Sequence, residues 1–176
     1  LDQSYYRLLR LVNDLTATRY LDGEPLPLRD RDIVDFVAEL FGGIASLASL
    51  KGVETRLICA EESHICAFCP DAMEQLLYQL VSNALKFTPA GGLVTVELRR
   101  TRGRVVLAVE DTGPGIAPER METLFDSYHQ AETPAPPPQG LGLGLALCRG
   151  IAQGHSGILT AESRQGKGSR FTFSMP

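Results

Sequence analysis

The stretch from residue 70 to residue 88 constrains this chain more than any other. Met73, Leu76, Leu77, Leu80, Val81, Ala84 and Leu85 recur at the i, i+3, i+4, i+7 spacing of a helix with one face sunk in a core. Pro70 suits its first turn, and Ala90-Gly91-Gly92 stops it. The opposite face carries Gln75, Gln79, Asn83 and Lys86. The helix must therefore cover an apolar layer while offering polar groups to something else.

The rest of the chain supplies that layer. Residues 93–99 and 104–110 alternate around Thr101-Arg102-Gly103 as an antiparallel hairpin. Residues 157–162 and 169–174 read as strands turned by Gly166-Lys167-Gly168, and 53–60 and 64–68 as short strands around Glu61-Glu62-Ser63. Further helical patterns cover residues 5–20, a segment running from Ile33 to Leu47, and residues 143–152. Helices and strands do not follow a regular βαβ rhythm, so the expected fold class is α+β, a two-layer α/β sandwich on a mixed, largely antiparallel sheet. Between residues 117 and 139 the periodicity fades into Thr133-Pro134-Ala135-Pro136-Pro137-Pro138, which reads as a mobile loop.

A chain of 176 residues is long enough for one main core. Its net charge of −4 comes from 21 acidic and 17 basic residues that are interleaved, without a basic stripe, which argues against nucleic acid as a partner. No apolar run reaches the ~18–20 residues of a membrane span, and no signal-peptide pattern is present, so the chain is expected to be soluble. Cys66 and Cys69 have CxxC spacing, but no second pair or histidine pair completes a zinc set; with Cys59 and Cys148 they read as free buried thiols of a reducing compartment.

Two glycine-rich motifs carry the chemistry. Asp111-Thr112-Gly113-Pro114-Gly115-Ile116 presents a carboxylate where a strand ends, beside a backbone bare enough for a planar ligand to approach; alone, it is equally an Asx turn. Gly140-Leu141-Gly142-Leu143-Gly144-Leu145 opens a helix and points backbone N–H groups along its dipole, an arrangement suited to phosphate but weak evidence by itself. Asn83 adds a neutral oxygen ligand of the kind Mg²⁺ accepts.

In this order the motifs resemble the histidine-kinase branch of the gyrase, chaperone, kinase and mismatch-repair ATP-binding fold, over nearly the whole chain. Residues 80–88 resemble its asparagine box, 111–116 its first glycine box, 124–128 the phenylalanine box of its ATP lid, and 140–145 and 166–171 the remaining glycine boxes. The resemblance implies ATP and Mg²⁺ as cofactors. Asn83 would coordinate Mg²⁺ and Lys86 would reach the phosphates, the two carrying catalysis; Phe87 and Ile116 would border the base, and Asp111 would accept the adenine amino proton. Gly113 and Gly115 belong to the same box; Gly140, Gly142, Leu143, Gly144 and Leu145 would line the phosphate side, and Ser169 would reach the adenine side. Residues 1–22 resemble the end of a dimerisation-hairpin helix, leaving 23–176 as the catalytic and ATP-binding domain.

The implied function is the catalytic domain of a sensor histidine kinase in two-component signal transduction. It would donate the γ-phosphoryl to a histidine on a dimerisation domain of the same parent protein, a homodimer, with a response regulator downstream. This domain is expected in the cytoplasm, compatible with a membrane-anchored parent. His64, His129 and His155 all lack the setting of a phosphoacceptor, so the acceptor lies outside this chain. His155 reads as a dipole-compensating cap. Gln79 stands where ATP-hydrolysing branches carry a glutamate, and an amide cannot act as general base. Leu141 and Tyr128 depart from the family pattern, which keeps open a regulatory pseudokinase or a nucleotide-binding module without phosphoryl transfer. An anti-sigma-type serine kinase is a further alternative, against which the helical opening segment speaks.

Overall fold

The computed structural model describes residues 20, 24–126 and 143–176. The order of elements is β1 (Arg29–Asp32), α1 (Ile33–Leu50), β2 (Glu54–Cys59), β3 (Ile65–Phe68), α2 (Pro70–Phe87), β4 (Leu93–Thr101), β5 (Arg104–Asp111), the short α3 (Pro118–Met121), α4 (Leu143–Gly154), β6 (Ile158–Arg164) and β7 (Gly168–Met175). Five strands form one sheet in the order β2-β4-β5-β7-β6, with β2 parallel to β4 and the other pairings antiparallel. β1 and β3 form a separate antiparallel pair. The mixed sandwich expected from the sequence is the observed fold.

Register sorts the sheet into two faces. Leu57, Val96, Val109, Phe171 and Ala161 occupy one row of the inner face, and the helices close over it in one apolar cluster with Leu76, Leu77, Leu80, Leu145 and Ile151. The outer face is polar at its centre. There Arg170 on β7 reaches Glu97 on β4 at 2.6 Å and Glu110 on β5 at 2.7 Å, bracing three strands. The β4–β5 turn is Arg102-Gly103, both at positive φ, as a two-residue hairpin connection requires.

Each helix end has an identifiable cause. Asp32 caps α1, its carboxylate accepting from the N–H groups of Val34 and Asp35. It also accepts from Ser63 and from the His64 N–H, which ties the 61–64 turn to the start of α1. α2 begins with Pro70 and stops where Thr88 turns extended, its N–H and hydroxyl both donating to the Ala84 carbonyl. Lys51 at the end of α1 donates to the Leu85 carbonyl in the last turn of α2. On α4 the chain crosses very closely: the Tyr20 carbonyl and the Leu26 side chain occupy the positions where side chains at Gly150 and Gly154 would lie.

Several expectations are corrected. The strands expected over residues 53–60 and 64–68 are β2 and β3, but they lie in different sheets: β2 joins the main sheet and β3 pairs with β1, a strand that the charged sequence Arg29-Asp30-Arg31-Asp32 conceals. α1, despite Asp35 and Glu39, matches a membrane span in length and composition, contrary to the reading that no segment does; its buried Ile33, Phe36, Val37, Ile44 and Ala48 pack into the core instead. Cys69 is the N-cap of α2, and all four cysteines are free; Cys69 and Cys148 are buried as expected, whereas Cys59 and Cys66 are only half-buried. The helix expected over residues 5–20 and most of the 117–139 loop lie outside the described residues.

His155 is also corrected, from a charged cap to a neutral connector. Its Nδ1 lies 2.8 Å from the Ile151 carbonyl, to which it donates, leaving Nε2 to accept the Cys69 N–H at 3.0 Å. Burial holds the imidazole below the ordinary histidine pKa, and protonation would remove the only acceptor Nε2 offers. A depressed pKa means that the unfolded chain binds the proton first, so this contribution to stability is complete above about pH 6.5 and is lost as pH falls toward the folded-state value. Urea unfolding of the chain and of His155→Gln should show a steeper acid loss of stability in the parent between pH 7.5 and pH 5.5. Parallel pH profiles would contradict the neutral connector.

Candidate functional site

The polar face of α2 and the adjoining end of the sheet enclose the site. Gln79, Asn83 and Lys86 succeed one another along α2 at i, i+4 and i+7, so the periodicity that buries Leu76, Leu80 and Ala84 also aligns these three. Gln79 is itself buried, and its Oε1 would stand 2.7 Å from a Cβ at Gly144, which places it against the first turn of α4. Any side chain at Gly144 would displace it. The Nδ2 of Asn83 is buried and has no hydrogen-bond partner among the described residues. The Lys86 ammonium lies 5.7 Å from the centroid of the neighbouring Phe87 ring.

At the end of the sheet the inner row turns polar. Asp111, the last residue of β5, pairs with Ser169 on β7, which pairs with Ser163 on β6. One Asp111 carboxylate oxygen accepts the Gly113 N–H at 2.9 Å, and Ser169 donates to the same carboxylate. Burial pushes the Asp111 carboxyl up from its ordinary value, and the hydrogen bonds from Gly113 and Ser169 oppose that shift. Such a carboxylate at neutral pH costs stability rather than adding it, as expected of a group retained for binding.

Glycines let the backbone close around this carboxylate. A Cβ at Gly113 would come 2.9 Å from the Asp111 Oδ1 and 3.0 Å from the Phe87 carbonyl, so the turn and the end of α2 meet without side chains between them. Gly168, at φ +99°, passes so near the Asp111 carbonyl that a Cβ there would overlap it. The first glycine turn is also held from the far hairpin. The Gly166 N–H donates to the Pro114 carbonyl at 2.7 Å, and the Ile116 N–H donates to the Ser163 hydroxyl at 2.7 Å. Beyond that turn, Leu124 is buried and Phe125 packs edge-on against Phe171 at 6.3 Å.

The structure thus brings Asn83, Lys86, Phe87, Asp111, Gly113, Gly115, Ile116, Gly144 and Ser169 to one corner of the molecule, where α2, the first glycine turn and α4 converge. The Leu145 side chain is fully buried in the core, which leaves only its backbone to face a ligand. Gly140, Gly142 and the side chain of Leu143 lie outside the described residues. Ser163 was missed by the sequence reading. Its signal was a hydroxyl in a strand whose inward positions, Leu159 and Ala161, are otherwise apolar.

The groups present fit a magnesium-bound nucleotide. A buried amide nitrogen without a partner costs about 1–3 kcal/mol, which is tolerable where a ligand completes the bonding. Half a turn of the Asn83 amide presents oxygen instead of nitrogen, so the same group suits a metal ion or a phosphate oxygen. Asp111, desolvated and already accepting from Gly113 and Ser169, has room for one more donor and suits a neutral N–H such as an exocyclic amine.

The sequence pattern of the family described as histidine kinase-, DNA gyrase B-, and HSP90-like ATPase matches residues 69–176. The adaptive-response sensory kinase SasA of Synechocystis is 39% identical over 177 residues, covering 100% of this chain and 45% of that protein. The histidine protein kinase DivJ of Caulobacter vibrioides is 36% identical over 172 residues, covering 96% of this chain and 29% of that protein. The chain spans less than half the length of these curated relatives. Full-length ShkA, solved in complex with AMPPNP, matches with a TM-score of 0.81 at 29% identity, covering 97% of this chain and 36% of that one. A family pattern spanning more than half of the chain and a shared fold with a histidine kinase lead to one assignment: the chain belongs to the histidine kinase-, DNA gyrase B-, and HSP90-like ATPase family, on its histidine-kinase branch.

Proposed function

We propose that this chain is the ATP-binding catalytic domain of a sensor histidine kinase, which holds Mg·ATP and offers the γ-phosphoryl to a histidine on a dimerisation hairpin outside residues 23–176. One observation carries the reading: the buried Nδ2 of Asn83, without a partner among the described residues, and the buried carboxylate of Asp111 border the same glycine-walled corner. The AMPPNP bound by ShkA supports an adenine nucleotide as the ligand. Residues 1–22 would close the dimerisation hairpin, the parent would act as a homodimer with a response regulator downstream, and this domain would work in the cytoplasm.

In this reading Asp111 accepts the adenine amino proton, while Gly113 and Ser169 hold its remaining lone pairs. Phe87 and Ile116 would flank the base, Lys86 would neutralise phosphate charge and Asn83 would hold the metal ion. The bound nucleotide would supply the phosphoryl group and its metal ion positive charge at the phosphates. The protein contributes positioning. Gln79, with an amide where a carboxylate would activate water, leaves the incoming histidine as the only competent nucleophile.

Asp111→Asn should leave the fold intact, because it removes a charge that burial disfavours, yet should weaken ATP binding. A hydrogen bond to a charged acceptor is worth about 1.5–3 kcal/mol, roughly tenfold to a hundredfold in affinity. Calorimetry measures this directly, and an unchanged affinity in a folded variant would remove the adenine site from this corner.

The isolated chain should bind Mg·ATP without labelling itself and without appreciable phosphate release. Adding the dimerisation hairpin of the parent protein should give acid-labile label on the hairpin, since tethering raises the effective concentration of the acceptor. Asn83→Ala should abolish that transfer with little change in thermal stability. With radiolabelled ATP, label on this chain alone, or phosphate release lost in Gln79→Ala, would contradict the division of labour.

A further inference from the structure

One side chain outside the residues assigned to the nucleotide joins both turns on the base side of the site. Ser163 is half-buried in β6, at the inward position opposite Ser169. Its hydroxyl accepts the Ile116 N–H at 2.7 Å and donates to the Gly168 carbonyl at 3.1 Å, which uses its single proton once. Ile116 follows Gly115, at φ +78°, in a stretch without ladder partners, so nothing in its own strand fixes its amide. Gly168 is the residue whose backbone passes against Asp111. A single hydroxyl therefore sets the spacing between the wall formed by Ile116 and the backbone flanking the Asp111 carboxylate.

We propose that Ser163 is a positioning residue for the adenine base, acting through Ile116 and Gly168 without touching the ligand; the proposal rests on the nucleotide reading of this corner. Without the hydroxyl, the Ile116 amide loses its acceptor and turns toward water, and the far end of the first glycine turn keeps the Gly166 to Pro114 bond while Asp111 keeps its bonds to Ser169. Binding must then order a turn that the parent chain holds ready, so affinity falls. The loss belongs to the base side. Asn83 and Lys86 stand on α2, which Ser163 does not contact through any of its hydrogen bonds.

The test is calorimetry with ATP, with and without Mg²⁺, together with thermal melting without nucleotide, on the parent chain, Ser163→Ala and Ser163→Thr. Ser163→Ala should bind ATP about three- to tenfold more weakly, the cost of one neutral hydrogen bond. The factor should be the same with and without Mg²⁺. Ser163→Thr keeps the hydroxyl and should stay within about twofold of the parent. Equal affinities of the parent and Ser163→Ala overturn the proposal, as does a loss shared by Ser163→Thr or one that changes with Mg²⁺. If the parent chain itself does not bind ATP, the nucleotide reading fails first and the proposal falls with it, an outcome visible before any variant is compared.

Discussion

The structure turns on a carboxylate held where water is scarce. Asp111 ends a central strand, and its charge is tolerable there only because the Gly113 N–H and Ser169 donate to it. Those bonds demand that the chain bend back at once after β5 and that β7 begin alongside. Both demands exclude side chains at the points of contact, so Gly113 and Gly168 follow from the carboxylate as much as from any ligand. The adjacent end of α2 must stop at the same level, and Thr88, bonded twice to the Ala84 carbonyl, stops it there.

Around that point the molecule divides its labour by face. The inner face of the sheet and the apolar stripes of α1, α2 and α4 supply the burial that keeps the frame rigid, and the Arg170 bridge to Glu97 and Glu110 braces the outer face. α2 belongs to both halves of the design. Turned slightly about its axis, it would expose Leu76 or Leu80 and bury Lys86, so packing fixes the direction in which Asn83 points. The site is precise because the core is.

Much of this was legible in the sequence, and for a physical reason. Helical stripes such as that of Met73 to Leu85 and alternating strands such as β4 and β5 encode local periodicity, and the glycine turns announce themselves by composition. What escaped depends on contacts far apart in sequence. β1 has no apolar alternation and exists because Arg29 to Asp32 find Phe68 to Ile65 more than thirty residues on. The separation of β2 from β3 is likewise a choice of distant partners. His155 reads as a dipole-compensating cap until Cys69 supplies an N–H to its Nε2. Ser163 shows the same limit, since its role lies in residues on two other segments.

The account stands or falls on whether one ligand engages Asn83 and the Asp111 turn together. Titration of isotopically labelled chain with Mg·ATP, followed by the side-chain amide resonances of Asn83 and the backbone amides of Gly113, Ile116 and Ser169, reads both at once. The prediction is that all of them shift with one saturation curve, while Arg99 and Thr172 on the outer face stay in place. Saturation of the Gly113 amide with no response at Asn83, or shifts confined to the outer face, would contradict a single nucleotide site at this corner.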